Sequence, residues 1–254
     1  DLTVNLTGLD GVKQTLRMRN CTLTNSPQPG VLSARNNAVQ QLALTSSQFS
    51  GNQNAFTFTF GNDGNITHTV STCSFTDNVA SAVSLTTTGK NNQINSTWTD
   101  TVVSNNNVNA GSALFVNITV PKAATFTFTR CNATYNTAYS SGGFLALNSG
   151  ANTSVSINDC HFESNMAPSG GVVSLDSQGE ITVNMVGVIA LNNAADAGTA
   201  KGVGGFLFAS VSTLNWNIEN CQFSTNRATT GAVGALTNGN HFLTMDDTTC
   251  DGNT

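Results

Sequence analysis

A short motif returns about every 29 residues along this chain, and that period limits the fold more than any other feature. Four copies share the frame Cys-x-Phe/Ala-x-x-Asn-x-Ala. They are Cys73-Ser-Phe75 with Asn78 and Ala80, Cys131 with Ala133, Asn136 and Ala138, Cys160-His-Phe162 with Asn165 and Ala167, and Cys221-Gln-Phe223 with Asn226 and Ala228. Degenerate copies fill the gaps: Ser47-Gln-Phe49 leads to Asn52, Thr101-Val-Val103 to Asn106, and Gly187-Val-Ile189 to Asn192 and Ala194. Cys21 opens the series and Cys250 closes it, so the anchors read 21, 47, 73, 101, 131, 160, 187, 221 and 250. Their separations drift between 26 and 34 residues. Helical repeats, held in register by whole turns, accommodate such drift poorly. A coil of short strands accommodates it by lengthening its turns.

Local patterning agrees. Three residues before most anchors stands an apolar residue (Met18, Leu44, Val70, Trp98, Phe128, Ile157, Ile218), often with another two places earlier. That is the period-2 signature of a half-buried strand. The anchor and the residue two places on point inward, and the polar residue between them (Ser74, Asn132, His161, Gln222) points out. The phase slips between the two runs, which places a bend there. After the Asn come a Gly- or Ala-rich turn and a third apolar run, as in Phe144-Leu-Ala-Leu147, Val172-Val-Ser-Leu175 and Phe206-Leu-Phe208. The pattern predicts an all-β chain. It reads as one domain over 1–254, a single-stranded right-handed parallel β-helix of eight to nine coils with three short strands per coil.

Stacking turns sequence separation into vertical contact. The Asn five places after the anchor recurs as Asn52, Asn78, Asn106, Asn136, Asn165, Asn192 and Asn226. Rungs about 4.8 Å apart would let each carboxamide reach the next, or the residues serve only as turn formers. The same stacking brings Cys131 beside Cys160 and Cys221 beside Cys250, within disulfide range. The alternative is a ladder of buried free thiols acting as small apolar groups.

Charged residues make up only 9% of the chain, and Asn, Thr, Ser and Gly supply the polarity instead. Net charge is −5 with nine scattered Lys and Arg, which leaves no basic stripe for nucleic acid. No apolar run reaches the length of a membrane span. The cysteines lie too far apart in sequence for a zinc site but suit an exported protein. Sequons occur at Asn5, Asn20, Asn65, Asn95, Asn117, Asn132 and Asn152. Asn132 falls at an outward place, and Asn65 and Asn152 in loops, so N-linked glycans could stand off the wall.

Phe162-Glu-Ser-Asn165 followed by Gly170-Gly171-Val-Val, and Phe223-Ser-Thr-Asn226 followed by Gly231-Ala-Val-Gly-Ala, carry a resemblance. The frame resembles the repeats of right-handed parallel β-helix surface proteins of the polymorphic outer-membrane-protein type. The resemblance implies a cell-surface, adhesive or structural role and supplies no catalytic residue or cofactor.

Parallel β-helices also include polysaccharide lyases and hydrolases, which cluster carboxylates with a base or calcium on one wall. Here Arg130 stacks on Asp159 as a surface pair, the Asp246-Asp247 doublet lies near Glu219, and His161 is a lone surface histidine. Gly202-Val-Gly-Gly205 lacks the Lys-Ser/Thr of a phosphate cradle. No catalytic or metal residue is assigned, and the chain is not expected to be an enzyme.

The chain does not begin with Met and reads as processed or partial. No cap is read at either end. Joining Thr254 to the start of a second copy would set Cys250 and the next Cys21 25 residues apart, close to the first two spacings. The expectation is an extracellular structural protein, a subunit of a surface filament, sheath or adhesive appendage. It would assemble by head-to-tail stacking or form a segment of a longer solenoid. A polysaccharide-binding adhesin module is the alternative, and a carbohydrate-active enzyme the second. Outward aromatics would favour binding, but Trp98 and Trp216 fall at inward positions.

Overall fold

The computed structural model describes residues 3–7, 14–25, 31–35, 40–53, 56–60, 65–81, 83–87, 93–108, 112–118, 123–196 and 202–254. Among them every regular element is a strand and every strand pairing is parallel. The chain is a β-solenoid whose turns follow one another roughly 28 residues apart.

Three walls can be followed. The long wall holds the strands that precede each anchor, such as Asn65–Ser71, Gln93–Thr99, Ala123–Thr129 and Thr153–Asn158. The anchor wall is a nine-stranded sheet of three-residue strands running from Thr22–Thr24 to Thr249–Asp251. The third wall includes Val83–Thr87, Leu114–Ile118 and Leu145–Ser149. The expected count of three strands per coil needs two amendments. Two-residue strands such as Thr137–Ala138 and Met166–Ala167 form a further five-stranded sheet after the Asn. In two later coils the third wall runs unbroken into the long wall, as Val173–Val186 and Leu207–Glu219. A register shift between Ser177 and Glu180 takes up the corner there.

Corners are made by single residues in the left-handed region. With Val188 and Thr248 as the anchors of their rungs by strand register, the residue before each anchor has positive φ, from Asn20 (53°) through Thr72 (54°) and Arg130 (51°) to Asp247 (42°). So does the residue four after the anchor, from Asn25 (51°) through Tyr135 (56°) and Asn192 (54°) to Gly252 (59°). Backbone bonding continues through the bend: Thr72 N–H donates to Thr99 O at 3.0 Å and Arg130 N–H to Asn158 O at 2.9 Å. Each rung therefore turns without leaving its amides unpaired, which a buried bend requires. The Gly-Gly pairs have two different roles. Gly170 supplies φ of +61° at the third corner. Gly171 has no room for a side chain, because a Cβ would lie 2.1 Å from Gly205 O on the next rung.

Inward side chains form one continuous core. Through it runs an aromatic column of Phe49, Phe75, Trp98, Phe128, Phe144, Phe162, Phe206 and Phe223, with neighbouring ring centroids 4.9–6.2 Å apart. Those separations are the range in which ring pairs attract. Trp98 and Trp216 are both buried, at the inward places their strand parity predicts.

Candidate functional site

The most completely built polar feature is a column of asparagines inside the solenoid. Asn52, Asn78, Asn106, Asn136, Asn165, Asn193 and Asn226 each donate one side-chain N–H to the carboxamide oxygen of the next, at 2.8–3.0 Å, and Asn253 closes the series. The same oxygen also accepts the preceding Asn's backbone N–H, as Asn136 N to Asn165 Oδ1 at 3.2 Å. The second side-chain N–H goes backwards, to a carbonyl of the rung before, as Asn136 to Val103 O at 2.8 Å. Both donors and both acceptor sites of the amide are thus used, which is the condition for burying it.

The ladder passes through Asn193 and not Asn192. Val188, rather than Gly187, stands in line with Cys160 and Cys221, because His161 pairs with Ile189 and Ile189 with Gln222. Gly187 (φ +63°) is the corner residue before the anchor, and Asn192 is the corner residue before the ladder. A one-residue slip exchanges the two roles.

The cysteines are corrected in the same way. All six are free thiols. Cys250 pairs with Phe223, and Thr248 is the residue in line with Cys221, so Cys221 and Cys250 are not vertical neighbours. Cys131 and Cys160 are neighbours, but a hydrogen bond joins them: Cys131 N–H donates to Cys160 Sγ at 3.3 Å. The anchor residue performs a turn function. Its side-chain hydrogen donates to the carbonyl two residues earlier, closing the corner. Ser47 does so to Thr45 O at 2.9 Å, Thr101 to Thr99 O at 3.0 Å, Cys160 to Asn158 O at 3.2 Å and Thr248 to Asp246 O at 2.9 Å. Where the next anchor is Ser47, Cys160 or Thr248, its side chain also accepts the preceding anchor's N–H. Cys, Ser and Thr share this ability, and that is why they alternate at the position. Burial pushes the Cys73 and Cys221 thiols up. In the stacked pair the contact with Cys160 holds Cys131 down and raises Cys160.

One buried polar group escaped the sequence reading. His68 lies at an inward place of its strand, between Ile66 and Val70, with Nδ1 3.1 Å from Ser96 Oγ. The Trp98 indole N–H donates to the same hydroxyl at 3.0 Å. Burial lowers the His68 pKa from 6.5 to about 3. The readable signal was parity: in an alternating strand His68 shares the face of two apolar residues.

The outer walls hold the remaining candidates. Arg130 makes a two-pronged pair with Asp100, at 2.7 and 2.9 Å, which holds the Asp100 carboxyl below its ordinary range. Asp159, the partner expected from the sequence, adds only a charge contact. Glu219 and Asp246 are register partners, and His161 lies 3.2 Å from Glu163. Among the described residues no group of three or more His, Cys, Asp or Glu could hold a metal ion. Of the sequon residues, Asn20, Asn65, Asn95, Asn132 and Asn152 are exposed and Asn117 is half-buried. The Asn5 side chain lies outside the described residues. Asn65 begins a strand where a loop was expected, and Asn152 sits in the turn before Thr153–Asn158.

No helix among the described residues is long and apolar enough to cross a membrane. Comparisons with protein-family models, curated proteins and solved structures give no match, so the polymorphic outer-membrane-protein resemblance rests on the quoted repeat motif alone.

Proposed function

We propose that the chain is an extracellular structural protein, a subunit of a surface filament, sheath or adhesive appendage in which a further rung covers residues 240–254. That rung comes from a second copy stacked head to tail. The carrying observation is the open face of this last described rung. Leu243 and Met245 are in register with the buried Trp216 and Ile218, yet are 52% and 45% exposed. The strand Asn240–Asp246 pairs on one side only, with Leu207–Glu219. An open strand edge over apolar core positions is a template for further pairing. The sparse charge and the exposed sequons are consistent with a glycosylated exterior.

Electron microscopy of the purified chain at high concentration tests the stacking form. The reading expects filaments from the wild type and short particles from a Leu243→Glu/Met245→Glu variant. Uniform monomers in both preparations would remove head-to-tail assembly. A polysaccharide-binding module remains the second reading, because Tyr135 and Tyr139 of one coil are exposed on the outside. Binding to a glycan array that a Tyr135→Ala/Tyr139→Ala variant loses would favour it.

A further inference from the structure

The long wall carries a regular array of small, uncharged polar side chains. In its strands Asn65–Ser71, Gln93–Thr99, Ala123–Thr129 and Thr153–Asn158, alternate residues are buried and the residues between them face out. Register places the outward residues in straight columns. Thr69 pairs with Thr97, Thr97 with Thr127 and Thr127 with Ser156. Flanking columns start at Thr67 and Ser71 and run through the same four rungs. All twelve positions are Thr, Ser or Asn. None is charged, although Arg17 and Arg19 lie earlier on this wall and Glu180, Glu219 and Asp246 later.

This gives a two-dimensional grid with spacings set by the backbone. Rungs are about 4.8 Å apart, and successive outward residues of one strand are about 6.7 Å apart. The register runs residue for residue with no shift across these four rungs. Seven of the twelve are Thr, which is β-branched and stiff at χ1, so at those positions hydroxyl and methyl keep fixed places. The hydroxyl both donates and accepts, while the methyl offers water no partner. Water between the columns would meet donors and acceptors at fixed spacings, and the charged residues that border them, Asp100, Arg130 and Asp159, each stand one place past the outer column.

We propose that this face binds ice: a crystal of water is the partner whose oxygen repeat approaches both spacings. A single exchanged hydroxyl–water bond has a net worth of only about 1 kcal/mol. Selectivity must come from many bonds formed together on a rigid lattice, where each contact after the first is intramolecular. A soluble sugar presents no such two-dimensional repeat. The assignment is independent of filament formation, since it needs only the four rungs of one molecule. Asn95 lies inside the array, so a glycan there would cover it.

The test uses the chain produced without N-glycans, labelled at the exposed Cys250 and assayed for incorporation into a growing ice hemisphere and for inhibition of ice recrystallisation. Wild type should enter the ice and inhibit recrystallisation at micromolar concentration. A Thr97→Tyr/Thr127→Tyr variant should lose at least tenfold in both assays, and Thr134→Tyr on the anchor wall should lose nothing. Circular dichroism confirms folding. If the tyrosine variant misfolds, Thr69→Lys replaces it with the same expected loss. The proposal is overturned if wild type behaves like serum albumin, if the array variant stays as active as wild type, or if insoluble polysaccharide is bound in place of ice.

Discussion

Asn136 and Asn165 lie 29 residues apart in sequence, yet the side-chain amide of the first donates to the carboxamide oxygen of the second at 2.9 Å, and so does its backbone N–H at 3.2 Å. Asn165 passes the contact on to Asn193 at 3.0 Å and back to Ala133 O at 2.8 Å. Replacing Asn165 by Ala would strand two donors of Asn136 and remove the side-chain bond to Ala133 O in a dry core, while Asn193 Oδ1 keeps the backbone N–H of residue 165. Each orphaned group costs about 1–3 kcal/mol, so the loss should be several kcal/mol. Asn253→Ala, at the half-buried end of the column, should lose about 1 kcal/mol. Urea denaturation of the two variants checks the contrast, and equal losses would mean that the column does not act as a connected ladder.

Chemical equivalence at the anchor gives a second prediction. Cys160→Ser preserves the donor to Asn158 O and the acceptor for Cys131 N–H, and should change stability by less than about 1 kcal/mol. Cys160→Ala removes both and should lose about 1–3 kcal/mol. If a disulfide were the true role of the position, both variants would lose alike. Thiol labelling without reductant gives an independent reading: Cys250 should react in the native protein, and all six cysteines should react in denaturant.

How far these features can be read from sequence depends on which physical rule each obeys. The ladder was legible because a buried amide must be Asn in coil after coil, and the five-residue offset from the anchor keeps it in phase. Asn192 and Asn193 were confused because Gly187 resembles a small inward anchor, whereas its glycine answers the positive φ of the corner. The Cys250 thiol lies two residues past the anchor of its rung, where Thr248 makes the corner bond. The degenerate anchors Ser47 and Thr101 already held that answer: no disulfide rule makes Cys interchangeable with hydroxyl residues, but a hydrogen bond to the carbonyl two residues back does. His68 was hidden because polar residues are read as outward unless strand parity overrules composition.

Corner residues make a third prediction. Thr72 is β-branched and holds φ of 54°, a region that L-residues enter at a cost of about 1–2 kcal/mol. Asn20 and Asn220 occupy the equivalent place in other rungs without that penalty. Thr72→Asn should therefore raise stability by about 1 kcal/mol and move Tm up by a few degrees. A fall in Tm would show that the Thr72 side chain stabilises its corner by more than the strain it adds.

The last prediction concerns acid. His68 is neutral in the folded chain, with its pKa lowered from 6.5 to about 3 by burial. Between those values the unfolded chain holds a proton that the folded chain does not, so stability rises with pH across that window. The contribution is fully present above the unfolded pKa. It declines as pH falls below it, by up to about 1.4 kcal/mol per pH unit. The chain holds only three histidines, and His68 is the one whose pKa burial lowers. His68→Leu removes the proton site, while Ser96 keeps its bond from the Trp98 indole. The urea midpoint of the wild type should drop from pH 7 to pH 4.5, and that of the variant should stay nearly level. A parallel drop in both would place the acid sensitivity elsewhere, with the carboxylates that pair on the outer walls, Asp100 first among them.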